Sequence, residues 1–305
     1  MNDLSIKFCG VTFPNPLVLP SGIITEIPEH KRAIEAGVGG VTLKSLTRER
    51  REGNPLPRMW KYEHGMLNSV GLRNAGIENG RKEIQDFLTT YKKVPVIVSL
   101  FSTAVDEFVE LVEHIIPIHP QFIELNLSCP NTIDEMGKAL GMDEGAAEKV
   151  VKAVKRVSGK VPILAKLSPN VVEIDEIAKS AEAAGANGIV AINTVGPGML
   201  IDIAKRKPIL GNKEGGVSGP GILPVAIRCV YDIYDAVKIP IIGMGGVTKW
   251  QDAIEMLMAG ATLVGVGSAT YERGYKVFEE IKQGIGEYMN KEKIKSLNDI
   301  IGIAH

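Results

Sequence analysis

The stretch VPILAKLSPNVVEIDEIAKSAEAAGANGIVAIN, residues 161–193, holds one strand, one helix and the next strand in succession. Residues 161–167 are nearly continuous in apolar content, as a strand covered on both faces must be. The period then changes. Ile174, Ile177, Ala178 and Ala181 fall at i, i+3, i+4 and i+7, which is one face of a helix spanning 172–184. The AGAN turn at 184–187 ends that helix on a glycine, which terminates it at no steric cost. Residues 188–193 run apolar again. The same alternation extends in both directions. Further apolar runs lie at 17–20, 40–44, 94–100, 122–128, 239–244 and 263–267. Helix-period stretches include 105–116, 146–157, 225–236 and 251–258, and a second such turn, AGAT, follows at 259–262. Eight buried strands alternating with helices predict an α/β fold, a (β/α)8 TIM barrel with strand and loop insertions at the top. A doubly wound sheet would open with a glycine-rich G-x-G-x-x-G turn after its first strand, and none is present. Residues 55–57 and 211–221 are the most loop-like insertions. No low-complexity linker divides the chain, so residues 1–305 read as a single domain.

Composition narrows the functional class. Of 305 residues, 45% are hydrophobic, enough for a large core and too many for a disordered chain. Lys and Arg number 35 against 36 Asp and Glu, so charge gives no reason to expect nucleic acid or a membrane surface as partner. Three cysteines cannot build a disulfide framework or a four-cysteine cluster site within one chain, and no metal site is expected. The start, MNDLSIKF, lacks the apolar run of a signal peptide, and no stretch reaches the roughly 18 apolar residues of a membrane helix. The expectation is a soluble cytoplasmic enzyme.

In a barrel of this kind chemistry sits at the carboxyl ends of the strands. The polar residues ending these runs are therefore the candidates. Lys44 and Lys166 each follow apolar strand residues, and an ammonium there needs an anionic or electron-rich partner. Cys129, in NLSCPN, lies just past a strand end with Pro130 blocking continuation of the ladder. No histidine is near it in sequence, which favours a proton-abstracting base over an acyl-transfer nucleophile. Cys9 and Cys229 read as packing residues, as do Trp60 and Trp250. Asn68, Asn126, Asn131 and Asn193 supply amides that donate and accept at once, suiting a planar ring of alternating C=O and N–H groups. Gly245, Gly246, Gly267 and Ser268 end the last two strands, where barrels often expose backbone N–H groups to phosphate. The loop around Gly219 adds a third close-approach site.

Together these motifs resemble the class 1 dihydroorotate dehydrogenases, the flavoprotein barrels of pyrimidine synthesis. The matching stretches are LVLPSG (17–22), LKS (43–45), EGNPLPR (52–58), NSVGLRNAG (68–76), LNLSCPN (125–131), AKLSPNV (165–171), INT (192–194), GGVSGPGILPVAIR (215–228) and IPIIGMGGV (239–247). The resemblance runs from about residue 5 to residue 275. It implies FMN held by Ser21, Lys44, Ser45, Ser99, Asn126, Lys166, Ile192, Gly219, Gly245, Gly246, Gly267 and Ser268. It implies dihydroorotate or orotate held by Lys44, Asn68, Val70, Gly71, Leu72, Asn126, Asn131, Asn193 and Thr194. Cys129 would be the base; the more distant membrane-associated class carries serine here, so cysteine places this chain in the soluble class. Relatives often carry asparagine where Ser99 stands, so that contact would be shorter in reach here.

The resemblance also implies a homodimer. The GPGM stretch at 196–199 and the GGVSGP stretch look more like the NAD-linked subgroup, which passes electrons to a separate subunit carrying FAD and an iron–sulfur cluster. Two alternatives stand beside this reading. One is a dihydropyrimidine dehydrogenase-type flavoenzyme, which shares LNLSCP but carries histidine where this chain has Asn131. The other is a flavin-binding scaffold without catalysis, which would not need Cys129. Residues 132–142 mix glycine with charge and read as a lid over the substrate.

Overall fold

The computed structural model describes residues 3–127 and 144–305. Eight strands close into a barrel: β1 (Leu17–Leu19), β2 (Gly40–Thr42), β3 (Val96–Leu100), β4 (Phe122–Asn126), β5 (Ile163–Lys166), β6 (Gly188–Ala191), β7 (Ile241–Met244) and β8 (Leu263–Gly265). All neighbours are parallel and follow one another in sequence order, with β8 returning to β1. The helices between them are α1 (Lys31–Glu35), α2 (Ile77–Thr90), α3 (Val105–Ile115), α4 (Glu144–Val157), α5 (Ile174–Ala183), α6 (Leu223–Ala236), α7 (Trp250–Met258) and α8 (Val277–Lys291). The (β/α)8 expectation therefore holds strand by strand. Within the quoted unit, β5 and β6 are buried throughout, and α5 buries Ile174, Ile177, Ala178 and Ala181. The helix starts two residues later than the periodicity suggested, and Val172 stands in solvent.

Three helices have no counterpart in the periodic reading: the short α1 and the longer α2 and α8. The two long ones each carry a glycine on the buried face, Gly80 and Gly284, a residue type that ordinarily weakens a helix. At Gly284 the reason is close approach: a Cβ there would lie 2.2 Å from the Trp250 ring. Trp250 is accordingly a packing residue, whereas Trp60 is 45% exposed.

The amino ends of the strands are plugged. An antiparallel hairpin, Ile6–Phe8 with Val11–Phe13, precedes the barrel. Its Phe8 and Phe13 are fully buried and meet Phe122, the first residue of β4, with ring centroids 5.9 Å away in both cases. Along β4 the alternation of a strand then puts Phe122, Glu124 and Asn126 on one face, from plug to opening. At the other end, the β2–α2 and β6–α6 connections contribute a four-stranded antiparallel sheet. Its order is Val195–Gly198, Gly215–Ser218, Gly65–Asn68, Met59–Tyr62. This is the insertion at the top. One buried apolar cluster extends from Ile6 to Ile300. Among the described residues no helix is long and apolar enough to cross a membrane.

The plug sets a stability test. Phe8→Ala should cost about 3–5 kcal/mol, the usual loss for a fully buried phenylalanine, read from urea unfolding. A change below about 1 kcal/mol would show that the hairpin does not seal the barrel.

Candidate active site

The carboxyl ends of the strands surround a cavity of about 380 Å³, within the usual range for small-molecule sites. Seven of the eight strands reach it. Past β1 come Ser21 and Gly22, past β2 Lys44 and Ser45, and β4 and β5 end on Asn126 and Lys166. Past β6 follow Ile192, Asn193 and Thr194, and past β7 and β8 the backbones of Gly245, Gly246, Gly267 and Ser268. The insertion sheet closes the remaining side with Asn68, Val70, Gly71 and Leu72. Lys44 and Lys166 are only 6% and 4% exposed, so both ammonium groups sit in the cavity wall and not on the surface. Asn126 and Lys166 are direct partners in the β4–β5 register. Among the described residues Lys166 forms no ion pair with a carboxylate.

Two residues expected to contact the cofactor lie off the cavity lining. Ser99 is fully buried and off the cavity lining, because it points into the barrel and donates to Glu124 Oε1 at 2.7 Å. Gly219 also lies outside the lining. A Cβ on it would meet Gly65 Cα at 2.7 Å, so its close approach is to the insertion hairpin. At Gly246 (φ +80°) the backbone abuts the start of α6, where a Cβ would lie 2.6 Å from Leu223 N. Cys129 and Asn131 lie outside the described residues, as does the expected lid at 132–142.

The reading of single motifs missed the braces. Asn74 accepts from Thr47 N (3.2 Å) and Gly76 N (2.8 Å) and donates to Leu72 O (2.7 Å) and Thr47 Oγ1 (2.9 Å). It ties the 68–76 loop to the segment that follows Lys44. That loop includes Leu72 at φ +57°, a left-handed conformation that costs about 1–3 kcal/mol for a residue with a side chain. Asn170 lines the cavity. It donates to Thr194 O at 3.4 Å and accepts from Gly196 N at 2.8 Å, fixing the Asn193–Thr194 corner. Asn68 donates to Gly216 O at 3.3 Å, which orients its amide from the sheet. Tyr271, on the short helix Ala269–Arg273, donates to Ile23 O at 2.8 Å and links the β8 end to the β1 loop. The NSVGLRNAG and AKLSPNV motifs contained Asn74 and Asn170, but an asparagine in a loop reads first as a turn former.

A cavity at the carboxyl ends of a parallel barrel, edged by glycine backbone and lined by two sequestered ammonium groups, stands where barrel enzymes carry out their chemistry. The family model for dihydroorotate dehydrogenase matches residues 3–289, and the chain belongs to that family. It is 45% identical to the Dihydroorotate dehydrogenase B (NAD(+)), catalytic subunit, of Pyrococcus horikoshii, over 99% of this chain and 97% of that one. The proteins of the same name from Methanosarcina acetivorans and Lachnoclostridium phytofermentans are 42% and 41% identical. They cover 97% and 98% of this chain, and 94% and 99% of their own lengths.

The two described cysteines behave as packing groups. Burial pushes the Cys9 thiol up to about 12 and the Cys229 thiol up to about 11. Cys9 Sγ donates to Asn187 O at 3.0 Å. At pH 8 only about one Cys229 in a thousand, and about one Cys9 in ten thousand, is the reactive thiolate. Iodoacetamide at pH 8 should leave both unlabelled by peptide mass spectrometry, with Cys229 labelling first as pH rises toward 11. Rapid labelling of either at pH 8 would contradict the packing assignment.

Proposed function

We propose that this chain binds FMN in the cavity and oxidises (S)-dihydroorotate to orotate for pyrimidine biosynthesis. The observation that carries the reading is convergence. Lys44, Asn126 and Lys166, drawn from three separate motifs, line one cavity together with Asn68, Asn193 and the glycine backbone at 245–246. The donor set suits FMN. A planar ring with alternating C=O and N–H groups meets amides and ammonium groups, and an exposed glycine backbone at one end suits the phosphate. Ser21, Lys44, Ser45, Asn126, Lys166, Ile192, Gly245, Gly246, Gly267 and Ser268 would hold it.

FMN, when bound, supplies a hydride acceptor for carbon 6 of the substrate. The protein's own groups do the rest. The Cys129 thiolate removes the proton from carbon 5. Lys44, Asn68, Asn193 and Thr194, with Asn131, hold the substrate ring and its carboxylate against the cofactor. Val70, Gly71 and Leu72 contribute the backbone of the same loop, kept in its left-handed turn by Asn74. Lys166 would supply positive charge to a cofactor ring that gains negative charge on reduction.

The electrons leave through a separate subunit carrying FAD and an iron–sulfur cluster. Three cysteines, one of them assigned to proton transfer, leave too few for a cluster in this chain, and the relatives are named as the catalytic subunit of an NAD(+)-linked enzyme. The chain itself pairs as a homodimer and works in the cytoplasm.

The test is anaerobic reduction. Dihydroorotate should bleach the yellow absorbance of the FMN-loaded protein, and dihydrouracil should not. The reverse pattern would assign the chain to dihydropyrimidine oxidation, and no bleaching by either would leave a scaffold. Cys129→Ala should retain flavin and slow bleaching by on the order of 10²–10⁴-fold. Undiminished bleaching would remove Cys129 from the proton step.

A further inference from the structure

A row of hydroxyl groups runs through the barrel beneath the cavity, and it ends on a buried carboxylate. Glu124, in the middle of the inward face of β4, is 1% exposed and forms no ion pair among the described residues. Ser99 Oγ, its register partner on β3, donates to Glu124 Oε1 at 2.7 Å. Ser45 Oγ lies 2.8 Å from Ser99 Oγ, and Ser21 Oγ lies 3.0 Å from Ser45 Oγ. Asn126 Nδ2 donates to Ser45 Oγ at 3.5 Å. The row thus crosses four successive strands, from β4 to the end of β1, and emerges at the cavity wall, where Ser21, Ser45 and Asn126 are lining residues.

The carboxylate sets the direction of every bond in the row. Ser99 donates to Glu124 Oε1, and a hydroxyl has only one proton to give. Ser99 must therefore spend its one proton on Glu124, and its oxygen accepts from Ser45. Ser45 has then spent its proton and accepts from Ser21 and from the Asn126 amide. Ser21 reaches the cavity with its proton already committed and only lone pairs to offer. Without the carboxylate either direction would serve equally, and Ser21 could present a proton as readily as a lone pair. A polar group buried this deeply is costly unless it is bonded, and the serine row supplies the bond to Glu124 Oε1.

We propose that Glu124 is a positioning residue for the cofactor site. Acting through Ser99 and Ser45, it fixes Ser21 as an acceptor facing a donor group of the bound flavin, and its negative charge opposes accumulation of charge on the reduced ring. This rests on the reading that the cavity binds FMN. It also accounts for Ser99, which fails to reach the cavity but transmits the direction set beneath it.

The test is a double-mutant cycle on FMN binding to the apoprotein, followed by quenching of FMN fluorescence, together with the midpoint potential of the bound flavin. Glu124→Gln, isosteric but uncharged, should weaken FMN about tenfold and shift the potential upward. Ser99→Ala should weaken FMN by a similar factor, and the double variant should bind no worse than the weaker single variant, because both break one row. Ser99→Thr keeps the hydroxyl and should bind like the wild type. Multiplying losses in the double variant, an unchanged potential in Glu124→Gln, or a Ser99→Thr as weak as Ser99→Ala would overturn the proposal. Wild-type protein that takes up no FMN would instead overturn the functional reading on which it rests.

Discussion

Closing eight parallel strands into a barrel turns every second residue inward, and those residues stack in layers whose chemistry must suit their depth. Along β4 the layers are Phe122, Glu124 and Asn126. The lowest is sealed by the phenylalanines of the amino-terminal hairpin, where only apolar groups are tolerated. The highest opens on the cavity, where Lys166 stands beside Asn126 and Lys44 ends the path from β2. An ammonium group held in that wall without a carboxylate partner, as Lys166 is among the described residues, is an electrostatic liability in the absence of a ligand, since removing a charge from water costs several kcal/mol unless it is compensated. The rest of the arrangement follows from having to hold those charges, and the amides around them, in one geometry.

The insertions serve that purpose. The four-stranded sheet brings Asn68 to the cavity from the β2–α2 connection, and Gly216 from the β6–α6 connection fixes its amide. Asn74 and Asn170 bond mostly to backbone, and each pins a corner of the wall: the 68–76 loop in one case and the Asn193–Thr194 turn in the other. Rigidity of this sort lets a left-handed Leu72 persist at the site. Bracing by neighbours separates a positioned set of polar groups from a merely polar hole.

The barrel was legible because its code is short-range. Apolar runs of strand length, a switch to helical period and a glycine at the turn repeat along the chain, and residues 161–193 contain all three. Helices α2 and α8 were harder, because Gly80 and Gly284 on their buried faces weaken the local signal for the sake of contacts with distant side chains. The cavity wall was legible where a charged residue ends an apolar run, as at Lys44 and Lys166. It was illegible where an asparagine acts through a neighbour's backbone. Ser99 shows the limit most clearly. Its place at a strand end pointed to the cofactor, but only the register of β3 against β4 reveals that it faces Glu124. Register is a property of the closed barrel and is not written in any one motif.

On the proposed function, the charge at Lys166 is held for a ligand and contributes nothing favourable to the empty fold. Comparing unfolding of the ligand-free wild type and Lys166→Met in urea, each with and without FMN, tests it most directly. The ligand-free variant should be at least as stable as the wild type, while the stabilisation added by FMN should be largely lost. A ligand-free variant that is clearly destabilised, and still stabilised by FMN as the wild type is, would contradict it.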